Sequence, residues 1–182
     1  MQLSDQELIG NLKNESTRNE AFSHLVNKYQ ERLYWHIRKI VLNHDDSDDV
    51  LQNTFLKVWK NLDSFREESS LFTWIYRIAT NESLTFINSQ KRGQAIPFQD
   101  VSEYLKNRME ADEYFDGSDI QKKLQQAILT LPDKQRLVFN MRYFEELPYQ
   151  EMSDILDTSV GALKASFHHA AKKVEEYITR LE

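Results

Sequence analysis

From Phe22 to Val41 the apolar residues Phe22, Leu25, Val26, Tyr29, Leu33, Ile37, Ile40 and Val41 recur at steps of three and four, with mostly polar residues between them. That spacing gathers them on one side of an α-helix, whereas a half-buried strand would need strict alternation. A helix striped in this way must find another apolar surface to cover the stripe. The pattern returns in Val50, Leu51, Phe55, Val58, Trp59 and Leu62, all expected to face inward, and no run of alternating β-branched residues competes with it. Only 4 Gly and 3 Pro occur in 182 residues, so few positions break a helix. The expected fold class is all-α.

The stripes fall into two sets. In the first, Asp5 is expected to cap a helix carrying Leu8, Ile9 and Leu12, and a second helix runs from about Arg18 to Leu42. The acids of NHDDSDD suit the start of a third helix reaching about Leu62, through the macrodipole. DSFREESS reads as a polar loop before a fourth, aromatic-rich helix from about Leu71 to Gln90. Residues 91–118 hold one of the three prolines, two of the four glycines and scattered apolar residues, which reads as a flexible linker with a short helix near Val101–Met109. Further helices are expected at about Ile120–Thr130, Asp133–Phe144, Tyr149–Leu156 and Val160–Arg180, with Pro132 and Pro148 at first-turn positions. The architecture expected is two small helical domains, 1–90 and 119–182, joined by the linker.

Several function classes drop out. The chain has no cysteine, which excludes disulfides, thiolate catalysis and cysteine-ligated zinc or iron–sulfur centres. No Gly-rich phosphate loop, nucleophile constellation or metal-ligand set is visible, so neither an enzyme nor a cofactor is expected. The acids Asp45–Asp49 lack the spacing and central glycine of a calcium loop. MQLSDQELIG carries acids where a secretory segment needs a basic start, and no run is long enough to span a bilayer, so a cytoplasmic protein without membrane insertion is expected.

The formal charge is −6, yet residues 158–174 contain no acid and carry Lys164, Lys172 and Lys173 beside His168 and His169. Tyr149–Leu156 is a short helix, DTS a three-residue turn that Ser159 can close as a cap, and Val160, Leu163, Phe167, Ala170, Val174 and Ile178 the inward stripe of a long helix. Short helix, tight turn and long helix make the helix-turn-helix pattern. The outward face of the long helix then carries Lys164, Ala165, His168, Lys172 and Lys173. In such motifs this helix enters the major groove while flanking cations hold phosphates. A lysine-bearing outer face on a helix by itself would mean only solvation. His168 and His169 are adjacent and point about 100° apart, which does not make a metal pair.

The segment LTLPDKQRLVFNMRYFEELPYQEMSDILDTSVGALKASFHHAAKKVEEYI, 129–178, resembles region 4 of bacterial sigma factors. DDSDDVLQNTFLKVWKNLDSF, 45–65, and LFTWIYRIATNESLTFI, 71–87, resemble region 2 of the same family. The two matches stand in the right order across a linker and cover most of the chain, and the extra domains of the large housekeeping members are not expected. It therefore resembles the compact extracytoplasmic-function (ECF) group.

The resemblance implies a sigma subunit that binds core RNA polymerase, recognises −10 and −35 promoter elements and opens the DNA. Its implied partners are the clamp helices of the largest polymerase subunit, the flap of the second largest, promoter DNA, and an anti-sigma protein of the kind that restrains many such factors. Asp48, Asp49, Gln52, Asn53, Leu56 and Lys57 are implied to contact polymerase, with Asn53 standing where relatives commonly carry an acid. Phe65, Arg66, Ser69, Ser70, Trp74, Arg77, Asn81 and Thr85 are implied at the −10 element, where the loop Ser64–Ser70 would receive a flipped base. Aromatic stacking suits that task, at about 1–3 kcal/mol per base. Packing remains the alternative for Trp74. Relatives often have glycine near Ser69 or Ser70, and this chain does not.

For the −35 element the implied residues are Arg136, Ser159, Lys164, Ala165, His168, His169 and Lys172. Arg142 joins Arg136 as a candidate backbone contact, with surface ion pairs as the alternative for both. Ser166, His169 and Ala171 stand where arginine is frequent in the group. Since arginine is the usual bidentate reader of guanine, −35 recognition is expected to differ in sequence or lean on DNA shape. The acidic linker is expected along the RNA path of polymerase. Two other readings compete: a DNA-binding regulator acting without polymerase, and a protein-interaction module whose helix-turn-helix no longer binds DNA.

Overall fold

A computed structural model describes residues 3–93, 106–107 and 118–180. Every regular element among them is helical. Most of the stretch expected as a linker, and the expected helix at Val101–Met109 apart from Lys106 and Asn107, lie outside the described residues. The chain forms two compact units: the first takes the N-terminal residues to Val41 and Asp45–Phe86, the second Leu42–His44 and the residues from Ile87 onward.

In the first unit, α1 (Asp5–Lys13) is capped by Ser4 rather than by Asp5. The Ser4 hydroxyl accepts from the Glu7 N–H at 3.3 Å, and the Glu7 carboxylate accepts from the Ser4 N–H at 2.8 Å. This reciprocal box satisfies two of the donors that a helix start leaves open. Asp5, one position further in, is free to reach across to α2 (Arg18–Val41), where its Oδ1 accepts from Lys28 Nζ and from the Tyr29 hydroxyl, each at 2.7 Å. The stripe of α2 buries Leu25, Tyr29, Leu33, Ile37, Ile40 and Val41, as its period requires. Each fully buried large aliphatic contributes roughly 1.5–3 kcal/mol by leaving water.

The third helix, α3 (His44–Asn61), buries Val50, Thr54, Phe55 and Val58, and a 3-10 turn follows at Leu62–Ser64. Trp59, expected inward, is 38% exposed and lies edge-on against Phe22 with centroids 4.9 Å apart. It stands one residue past the fully buried Val58, about 100° around the helix, so only one flank of the indole is covered. Leu51 and Leu62 are half-buried for the same reason of position at the margin of the stripe. The last long helix of this set, α4 (Leu71–Gly93), buries Leu71, Phe72, Ile75, Tyr76 and Ala79. His36 of α2 stacks on Tyr76 with centroids 4.7 Å apart and sets Nε2 2.8 Å from the Thr80 hydroxyl.

The second unit contains α5 (Asp119–Leu129), α6 (Asp133–Tyr143), α7 (Tyr149–Leu156) and α8 (Val160–Thr179). Its core is Ala127, Ile128, Leu131, Phe139, Ala170 and Val174, and Phe139 stacks on Phe167 of α8 with centroids 5.7 Å apart. Pro132 and Pro148 are N-caps, one position earlier than expected, with ψ of 146° and 143° that only an extended residue can take. Proline loses nothing there, because the cap N–H makes no intrahelical bond. Asp157, at φ 50°, turns the chain left-handed after α7, and the Ser159 hydroxyl then accepts from Ala162 N–H to start α8. This is the expected short helix, turn and long helix.

Candidate functional surfaces

All six α3 residues singled out by the sequence are exposed: Asp48, Asp49, Gln52, Asn53, Leu56 and Lys57. They step by one, three and four, so they form a single helix face between two and three turns long. Leu56 sits among them 51% exposed, an apolar side chain within a polar surround. Lys57 also ion-pairs with Glu82 of α4, which ties this face to the next helix. A mixed face of this kind suits a macromolecular interface.

Beside it, the loop after the 3-10 turn leads into α4. Phe65 stacks on Trp74 with centroids 4.9 Å apart and planes 37° apart, and both rings remain half-exposed. Trp74 is thus neither core nor free. Arg77, Asn81 and Thr85 continue from Trp74 along one exposed side of α4. Arg66 is exposed and Ser69 half-buried. Ser70 has a prior duty: its hydroxyl accepts from the Thr73 N–H at 3.0 Å and caps the helix start. Glu67 takes φ 60°, a left-handed conformation with no signal in the local residues. The left-handed residue of this loop is therefore a glutamate, two positions before the serines where relatives often have glycine. Glu67 also ion-pairs with Lys13, and Arg18 Nη2 meets Asp63 Oδ1 at 2.7 Å.

On α8, Lys164, Ala165, His168, His169 and Lys172 share one exposed face, opposite the buried Leu163, Ala170 and Val174. Lys173, expected with them, reaches Gln135 Oε1 at 3.0 Å instead. Ser159 is exposed, with its hydroxyl engaged as the cap.

Arg136 departs from the expected set. It is 6% exposed, and its guanidinium donates to the Leu131 carbonyl at 3.2 Å and to Asp133 Oδ1 at 2.7 Å. A cation so enclosed is a structural brace and cannot reach a phosphate. Arg142 donates to the Leu147 carbonyl at 3.1 Å and stands 5.1 Å from the centre of the Tyr149 ring. Lys164 Nζ approaches the same ring, 5.8 Å from its centre. Tyr149 was absent from the sequence-derived set, yet it adjoins the exposed α8 face through these two cations. Its position at the first residue of α7 was the available signal.

No helix among the described residues is long and apolar enough to cross a membrane, and no group of three or more His, Asp or Glu is placed to hold a metal.

Comparison with known proteins places these surfaces in context. Residues 25–93 match the family model of Sigma-70 region 2, and residues 121–174 match that of Sigma-70, region 4. The chain is 27% identical over 188 residues to the ECF RNA polymerase sigma-E factor of Haemophilus influenzae, covering 99% of this chain and 98% of the relative. It is 26% identical over 170 residues to the ECF RNA polymerase sigma factor SigW of Bacillus subtilis, covering 89% and 91%. Among solved structures, CnrH in complex with the cytosolic domain of CnrY superposes with a TM-score of 0.71 at 20% identity, covering 97% of each chain. RpoE in complex with the anti-sigma factor NepR from Bartonella quintana gives 0.65 at 18% identity, covering 87% of this chain and 96% of that one. At these identities the two structures speak for the fold.

Proposed function

The chain belongs to the sigma-70 family, in the ECF group of RNA polymerase sigma factors, and we propose that its exposed helix faces divide the work of initiation between them. As a sigma factor it directs promoter-specific transcription initiation. Residues 1–90 serve as region 2 and residues 119–182 as region 4, with 91–118 between them.

In this reading the α3 face docks on the clamp helices of core polymerase, with Leu56 as its apolar centre. Phe65, Arg66, Ser69, Trp74, Arg77, Asn81 and Thr85 engage the −10 element, where the half-exposed Phe65 and Trp74 rings offer faces for an unstacked base. The α8 face, with Tyr149 and Arg142 beside it, meets the −35 element, and region 4 as a whole sits at the polymerase flap. Ser166 and Ala171 are half-buried and without charge, so α8 holds DNA chiefly by phosphate contacts and shape. The protein does its work by binding, without catalysis of its own, in the cytoplasm. An anti-sigma protein, of the kind bound to the neighbouring RpoE structure, is a partner consistent with the same fold.

The observation that supports this reading best is the coincidence of both region matches with helix faces that the fold leaves exposed. The test is run-off transcription from a library of promoter fragments with purified core polymerase. Selective transcripts are expected, lost on Leu56→Asp and reduced on Lys164→Ala. Absence of both transcript and core binding would overturn the reading.

A further inference from the structure

The loop between the 3-10 turn and α4 borders a pocket open to solvent. This pocket, of about 130 Å³, is lined by Ile9, Leu12, Leu62, Phe65 and Leu71 together with the charged Lys13, Arg18 and Asp63. A ring contact, Phe65 on Trp74, anchors the loop. Glu67, near its middle, is held at φ 60°, a conformation disfavoured for a residue with a side chain.

Two cations from the α1–α2 corner reach this loop. Lys13, the last residue of α1, ion-pairs with Glu67. Arg18, the first residue of α2, donates from Nε to the Leu12 carbonyl at 2.9 Å and from Nη2 to Asp63 at 2.7 Å. The corner is itself braced, because the Thr17 hydroxyl donates to the Asn11 carbonyl at 2.8 Å. One rigid corner therefore grips the loop at its entrance and at its strained residue, across a gap that side chains do not fill.

We propose that Lys13 and Arg18 are positioning residues for promoter opening: from α1 and α2 they hold Glu67 and Asp63 so that the loop keeps its base-capturing shape before DNA arrives. This rests on the reading of Ser64–Ser70 as the −10 loop. Without the Lys13–Glu67 pair, the left-handed Glu67 loses the partner that offsets its strain, and the loop samples other shapes. Binding then has to select the competent fraction, which slows opening. Polymerase docking, on α3, stays as it was.

The test uses holoenzyme assembled from the full chain and a promoter fragment recovered in the run-off selection, with 2-aminopurine placed in its −10 element. Opening is followed by fluorescence, core affinity by competition, and loop order by amide hydrogen exchange over residues 64–70. Lys13→Ala is expected to slow opening about two- to fivefold. Lys13→Glu should slow it more, with faster exchange over 64–70 and unchanged core affinity. The charge swap Lys13→Glu with Glu67→Lys should restore both opening and exchange toward wild type. Unchanged opening in Lys13→Glu would overturn the proposal. A swap that restores nothing would overturn it too, since Lys13 would then act alone, for instance on DNA. Wild-type protein that neither binds core nor supports opening of any fragment would instead defeat the sigma-factor assignment of the loop. Both residues are exposed, so a melting curve that matches wild type is expected for every variant.

Discussion

Replacing Arg136 by alanine separates two roles for one side chain. In the fold its guanidinium is 6% exposed and spends its donors on the Leu131 carbonyl and the Asp133 carboxylate. A hydrogen bond to a charged partner is worth about 1.5–3 kcal/mol. Breaking a fully buried pair can cost about 3–5 kcal/mol by stranding the remaining charge. Here Asp133 is not stranded, because Lys91 Nζ also reaches it, 2.9 Å from Oδ2, and the carboxylate is 45% exposed. The expected cost is therefore about 2–3 kcal/mol, from the lost bonds and the space left behind. For a unit of this size each kcal/mol moves the midpoint by about 4–8 °C, so its melting transition should fall by about 8 °C or more.

Calorimetry of the full chain would measure that fall. Promoter binding, measured well below the transition at several salt concentrations, should keep its salt slope. A phosphate contact would do the opposite: the melt would stay in place and the slope would drop by about one. That second result would refute the buried-brace account. The same cluster sets a pH signature. Burial disfavours the ionised Asp133 carboxyl, but the Lys91 hydrogen bond and the Arg136 charge outweigh it and hold its pKa below the usual carboxylate range. A folded pKa below the unfolded one gives stability that is fully present above about pH 4 and is lost as pH falls through the folded value. Wild type and Asp133→Asn should thus differ at neutral pH and converge in strong acid.

Leu56→Asp should weaken core binding about tenfold or more while leaving the melt unchanged, because the side chain is 51% exposed; a competition assay and a melting curve check both halves. Lys164→Ala should weaken promoter binding similarly across −35 sequences and lower the salt slope by about one, read from filter binding; a loss confined to one sequence would show base reading instead. Asp157→Gly should stabilise the second unit by up to about 1 kcal/mol, since φ 50° suits glycine, as a shift in denaturant midpoint would show.

The helices were legible because their apolar stripes are long and unbroken. Six core positions of α2 fell where its period put them, and α7 began and ended on the expected residues. What periodicity could not supply was depth at the edge of a stripe, which is why Trp59 looked internal and is 38% exposed. The cap was misread by one position at Asp5, where Ser4 and Asp5 could each do the job and Lys28 and Tyr29 engage Asp5 instead. Arg136 shows the harder limit. An arginine on a helix looks like surface in sequence, and only the arrival of Leu131 and Asp133 around it reveals a buried brace. The Glu67 backbone and its Lys13 partner were equally hidden, because the pair spans 54 residues. The three candidate faces, by contrast, were readable, since residues three and four apart share a side of any helix.

The α8 helix keeps its two duties on opposite sides. Leu163, Ala170 and Val174 carry the packing, while Ala165, His168, His169 and Lys172 touch little of the protein. Exchanges at such outward sites usually alter stability by no more than about 0.5 kcal/mol. The outward face of α8 can therefore be changed one residue at a time, by evolution or by an engineer, with each intermediate still folded.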